Sequence, residues 1–102
     1  MIAVDNTFAT PILCNPLSDG ANVVIHSLTK YIAGHNDVIA GAIVSDRTLI
    51  KDLLWDWRRR LGSILDPQAS YLVLRGVKTL QVRFERQSKS AMEIANMSTR
   101  AP

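Results

Sequence analysis

A chain of 102 residues encloses one modest core and exposes proportionately more surface than a larger protein, which excludes two large domains. Twelve Lys and Arg against nine Asp and Glu leave a formal net charge of +3, too small an excess to select a partner. Cys14 is the only cysteine, so no intrachain disulfide can form, and a free, buried thiol in a reducing compartment is expected.

The first element is a short strand, "MIAV", ending at Asp5. This opening lacks a basic region followed by a long apolar stretch, so no signal peptide is expected. No apolar run approaches membrane-spanning length, so no membrane partner is expected either, and the default address is the cytoplasm. "NTFATPILCNPLSDG" follows, with two prolines and an Asp-Gly, and reads as an ordered loop. The second strand, "ANVVIHS", has a nearly continuous apolar centre, as in a strand buried on both faces of an α/β sheet. "VIAGAIVS" is the third, with Gly41 at a point where a side chain could obstruct a close neighbour.

From Asp46 the period lengthens. Leu49, Ile50, Leu53, Leu54, Trp57 and Leu61 share one face of a helix expected to cover the sheet, with Ser45 or Asp46 as N-cap and Gly62 as stop. Asp66 and Pro67 open another helix, as cap and first helical residue, with Gly76 as its expected end. A final helix from about Val77 to Asn96 carries Leu80, Phe84, Ala91, Ile94 and Ala95 on its apolar face. That face weakens at Gln87 and Ser88, so the helix is expected to project beyond its domain.

Lys30 stands at the end of the second strand, where an amine can be held near a ligand and partly desolvated. An ordinary lysine, with a pKa of about 10.4, is scarcely neutral near pH 7, so nucleophilic use demands help from its surroundings. Ser27 and Thr29 offer hydroxyl donors that can bind a phosphate. Asp5 ends another strand, and the C-terminal ends of strands are where α/β sheets bind ligands. An amine for an aldehyde, hydroxyls for a phosphate and a carboxylate for a protonated ring nitrogen together meet the needs of pyridoxal 5′-phosphate.

Other residue groups read as structural. His26 and His35 lack a compact metal-ligand spacing, so no metal is expected and both are assigned to structural hydrogen bonds. Trp55, Trp57 and Arg58 to Arg60 combine aromatics with positive charge, but the apolar stripe accounts for Trp57 and the last helical turn for the arginines, so no nucleic-acid partner is expected. Arg75, Lys78, Arg83 and Arg86 are assigned to a solvated helix face.

"VDNTFATP", "HSLTKYIAGHNDVIAG" and "LDPQASYLVLRGVKTLQVR", in that order, resemble the central part of the Cys/Met-metabolism family of pyridoxal-phosphate enzymes. The resemblance runs from about Ile2 to Asn96. It implies part of the large cofactor-binding domain of a fold-type I enzyme, a mostly parallel sheet with covering helices over residues 1–76, and a helix over 77–102 leading towards a C-terminal domain. Lys30 is then the residue that forms a Schiff base with the cofactor and shuttles protons. Asp5 is the partner of the pyridine nitrogen, and Ser27 and Thr29 are phosphate ligands.

The implied function is transsulfuration, a β- or γ-elimination or γ-replacement on a sulfur amino acid or activated homoserine. The implied assembly is a homotetramer. Family members are much longer: an upstream glycine-containing phosphate segment, residues from a neighbouring subunit and a carboxylate-binding arginine have no match here. Met1 falls inside the family's sheet, and "NMSTRAP" departs from its continuing helix. The alternative expectation is therefore a truncated, noncatalytic piece with at most a partial cofactor site.

Overall fold

The computed structural model describes residues 1–99, apart from the side chains at positions 52 and 53. In chain order it contains β1 (Ala3–Asp5), α1 (Thr10–Leu13), β2 (Val23–Ser27), a π-helical turn (Leu28–Ile32), β3 (Gly41–Ser45), then α2 (Arg47–Leu49) running through a π-helical stretch (Ile50–Leu54) into α3 (Trp55–Leu61), and finally α4 (Pro67–Val77) and α5 (Leu80–Ser98). The segment read as a loop after β1 thus contains one short helix.

The three strands lie in the order β1-β2-β3, with β1 parallel to β2 and β2 antiparallel to β3. The α/β class holds, but within these residues the sheet is mixed rather than mostly parallel. Connection geometry explains the difference, since parallel neighbours need a long crossover and antiparallel ones do not. Residues 6–22 supply such a crossover between β1 and β2. After β2, by contrast, the N–H groups of Leu28 and Thr29 both donate to the carbonyl of Ala40, at 2.9 and 3.3 Å, and the chain re-enters the sheet beside the strand it has just left.

Val23, Val24 and His26 are buried in β2, but Ile25 is 41% exposed, so this strand is not covered on both faces. Gly41 opens β3, and a Cβ there would sit 3.8 Å from the His26 carbonyl oxygen, an ordinary contact. The steric reason expected for that glycine is therefore absent.

Helix ends follow local chemistry. The Asp46 carboxylate accepts the N–H of Leu49 at 2.8 Å, and Asp66 accepts those of Gln68 and Ala69 at 2.8 and 3.0 Å. Gly62 stops α3 in the left-handed conformation, with φ of 71°. Gly76 does something else: α4 continues to Val77, and a Cβ at position 76 would lie 2.2 Å from the carbonyl oxygen of Ala33. The glycine lets the helix press against the turn that follows β2.

That contact sits in the core, formed by Ile32, Ala33, Val73, Leu80 and Phe84, with Leu28, Tyr31, Val38 and Ala40 packed around it. Of the expected apolar face of α5, Leu80 and Phe84 are buried, whereas Ala91, Ile94 and Ala95 are exposed, and the helix projects. The stripe on α2 and α3 does not cover the sheet. Trp57 and Leu61 are 60% and 70% exposed, and with Ile25, Ile39 and Ile43 they line an open groove of about 860 Å³. Asp46 alone joins β3 to the helix, too short a link to fold it back over the strand. Among the described residues no helix is long and apolar enough to cross a membrane.

Candidate active site

The parallel register of β1 and β2, with Asp5 opposite Ile25, brings the C-terminal ends of the two strands to one end of the sheet. The ladder continues one step further, through Asn6 N–H to the Ile25 carbonyl at 2.9 Å. Asn6 and Thr7 are buried beyond it. Asn6 Nδ2 donates to the carbonyls of Thr10 and Cys14, at 3.3 and 3.0 Å, folding the chain over the strand end. Cys14 is a free thiol, only partly buried rather than enclosed.

Thr7 links two expected site residues. Its N–H donates to Asp5 Oδ1 at 3.0 Å, and its Oγ1 accepts the N–H of Ser27 at 2.8 Å. Hydrogen bonds from the Thr7 hydroxyl and then its N–H hold the exposed Asp5 carboxyl below the usual carboxylate range; desolvation opposes them and the charge of His26 adds to the lowering. Asp5 is accordingly an anion across the neutral pH range. The Ser27 hydroxyl enters no hydrogen bond among the described residues.

Beyond Ser27 the chain enters the π-helical turn, and Lys30 interrupts it with φ of −81° and ψ of −116°. Hydrogen bonds from Ala33 N–H to the Leu28 carbonyl and from Gly34 N–H to that of Lys30, both 2.9 Å, hold the turn on either side of the kink. Lys30 is exposed and enters no ion pair among the described residues. Its side chain borders a cleft of about 350 Å³ shared with Phe8, Thr29, Tyr31, Asn36 and Arg83. Tyr31 is fixed there by edge-on contacts with Phe84 and Phe8, at centroid distances of 5.2 and 6.2 Å.

Thr29 differs from Ser27. Its hydroxyl accepts the Ala40 N–H at 2.9 Å and donates to the Ala40 carbonyl at 3.3 Å. To serve an anion, it needs only to turn its proton away from that long second contact. Asp5, Ser27, Thr29 and Lys30 thus occupy the same end of the sheet or the turn leaving it, though of the other three only Thr29 shares the Lys30 cleft, and Asp5 and Ser27 do not line it. An exposed amine, an anionic carboxylate and two hydroxyl groups suit a cofactor with an aldehyde, a ring N–H and a phosphate.

Two assignments from the sequence change. His35 is hydrogen-bonded as expected, its Nδ1 2.6 Å from the Ala33 carbonyl oxygen, but the buried Nδ1 of His26 has no partner among the described residues. No metal-sized cluster of His, Cys, Asp and Glu occurs among them. Arg75 pairs with Asp37. Arg83 is not on a solvated face: it is half-buried and reaches back across about fifty residues to the carbonyls of Tyr31 and Ile32, at 3.0 and 3.3 Å. Arg83 and Thr7 are the residues that sequence reasoning missed. Only their places within the segments "LRGVKTLQVR" and "VDNTFATP" signalled them.

The model of the Cys/Met metabolism PLP-dependent enzyme family matches residues 1–102. The chain is 41% identical to L-methionine gamma-lyase of Fusobacterium nucleatum subsp. polymorphum, over 100% of this chain and 26% of that protein. It is 46% identical to cystathionine gamma-synthase of Haemophilus influenzae, over 100% of this chain and 28% of that protein. Its fold superposes with a TM-score of 0.93 on a crystal structure of cystathionine gamma-lyase from Lactobacillus plantarum complexed with L-serine, at 37% identity, covering 98% of this chain and 26% of that one. The chain therefore spans about a quarter of the length of these relatives. The family match spans this whole quarter, and the chain belongs to the Cys/Met metabolism family of PLP-dependent enzymes.

Proposed function

We propose that Lys30 is the cofactor lysine of a pyridoxal-phosphate site, and that the complete protein uses it to cleave or exchange bonds in sulfur amino acids or activated homoserine. The supporting observation is the placement of an exposed lysine, without an ion-pair partner among the described residues, at a kink immediately beyond the strand that ends in Ser27, with Asp5 at the end of the neighbouring parallel strand. When bound, pyridoxal phosphate supplies an aldehyde for an amine and a protonated ring that draws electron density from the substrate's α-carbon. Asp5, kept anionic by Thr7, is the residue to hold the ring N–H. Ser27 and Thr29 are the hydroxyl donors for the phosphate. Lys30 is the residue that would hold the aldehyde end of the cofactor, and its Nζ, when free, would take and return protons there.

The relatives include a γ-lyase and a γ-synthase, so elimination and replacement are both within reach of these residues. In this reading residues 1–76 belong to the large cofactor-binding domain, and the helix beyond leads to a second domain. The assembly is a homotetramer in the cytoplasm. The open groove beside β3 favours a second reading for this chain by itself, as a noncatalytic piece that retains part of the cofactor site.

Borohydride reduction with limiting pyridoxal phosphate, followed by peptide mapping, tests the assignment. The expected adduct is on Lys30 and not on Lys51, Lys78 or Lys89, and it disappears in Lys30→Ala. Equal labelling of all four lysines would sink it.

A further inference from the structure

The Arg83 side chain makes four hydrogen bonds. Nη1 donates to the Tyr31 carbonyl at 3.0 Å, Nη2 to those of Ile32 and Gly76 at 3.3 and 2.9 Å, and Nε to Thr79 Oγ1 at 2.9 Å. A guanidinium has five N–H donors, so most of its capacity is committed to the protein and little remains for an anion in the cleft. Three of the acceptors are backbone carbonyls at helix C-terminal ends. Tyr31 and Ile32 close the π-helical turn, and Gly76 lies in the last turn of α4. Such ends carry partial negative charge, and one planar cation here offsets two of them at once.

The surroundings are shaped to admit this group. A Cβ on Gly34 would lie 2.0 Å from Arg83 Nη1, and Gly34 has φ of 72°, a conformation that suits glycine. Tyr31 and Ile32 are the two residues that follow Lys30. Holding both carbonyls fixes the peptide planes on the C-terminal side of the kink, while the Ala40 carbonyl fixes Leu28 and Thr29 on the other.

We infer that Arg83 is a positioning residue for Lys30, clamping the turn so that the lysine side chain leaves the backbone towards the cleft. The inference rests on the reading of Lys30 as the cofactor lysine. It also separates Arg83 from any substrate-binding role.

The test compares the full chain with Arg83→Gln and Arg83→Lys by amide hydrogen exchange and by pyridoxal phosphate–borohydride labelling. In Arg83→Gln, exchange at Ala33 and Gly34 is expected to accelerate about tenfold, the equivalent of one lost charge-assisted hydrogen bond, with Val24 and Ile25 unchanged. Labelling of Lys30 falls to the level of Lys51 and Lys89. Arg83→Lys, which can reach fewer of the acceptors, lies between. Unchanged exchange at Ala33 and Gly34, uniform acceleration across β2, or full Lys30 selectivity in Arg83→Gln would each overturn the clamp.

If Arg83→Gln does not fold, Thr79→Val, which removes the acceptor of Nε together with a 3.3 Å hydrogen bond from the Thr79 hydroxyl to the Gly76 carbonyl and leaves the bonds to Tyr31 and Ile32 in place, must show the same local acceleration at smaller size, and its absence overturns the proposal. Indiscriminate labelling of the unmodified chain instead defeats the assignment of Lys30, and the exchange data then decide the clamp alone.

Discussion

Asp5 and Thr7 show how one hydrogen-bonded neighbour sets the charge of an exposed carboxylate. The Thr7 hydroxyl and N–H bind the ionised form more strongly than the protonated one, so the folded-state pKa lies below the ordinary value. The corresponding stabilisation is present above the ordinary carboxylate pKa and is lost as pH falls through the lowered folded value. Thr7→Val removes the larger of the two causes, and the Asp5 pKa is expected to rise towards the ordinary value. An NMR titration of the Asp5 carboxyl in both proteins measures this, and an unmoved titration would refute the account. The substitution also deprives Ser27 N–H of its acceptor, so the two strand ends should loosen together.

At the scale of elements, Gly76 couples α4 to the turn that bears Lys30. Alanine is the better helix former by about 0.5–1 kcal/mol. Against this, its methyl would meet the Ala33 backbone, with carbonyl oxygen, Cα and carbonyl carbon all within 2.8 Å of its ideal position. Backbone yields less readily than a side-chain tip, so the clash decides the sign, and Gly76→Ala is expected to destabilise by about 2 kcal/mol. The shift of the urea midpoint measures it; a stabilised variant would contradict the packing described.

Elements whose causes are local were legible in the sequence. Asp66 with Pro67, Asp46 and Gly62 mark helix ends through partners one to four residues away, and all three act as read. The strand-end placement of Asp5, Ser27 and Lys30 was legible for the same reason, since apolar runs locate strands. Gly76 and Arg83 were misread because their partners lie about forty to fifty residues upstream, and neither periodicity nor capping chemistry carries information at that separation. The stripe on α3 was legible as a stripe, but periodicity identifies an apolar face without saying what covers it. The direction of β3 was set by Ala40 and its hydrogen bonds to the turn, which composition does not reveal.

For the whole molecule, the core and the open apolar surface are unequal. Ile32, Ala33, Val73, Leu80 and Phe84 are buried together where the Lys30 turn meets α4 and α5, whereas Ile39, Trp55, Trp57, Leu61 and Ile64 are mostly exposed around the groove. The chain should bind the dye 1-anilinonaphthalene-8-sulfonate while its helical circular dichroism is intact, and Trp57→Lys should reduce that fluorescence without lowering the helical signal. Absence of dye binding would mean that the groove is closed in solution.

The same groove has a kinetic consequence. Water ordered against these side chains is released when two such surfaces meet, and encounters between copies increase with the square of concentration. The working lifetime of a preparation should therefore depend on its dilution more than on its melting temperature.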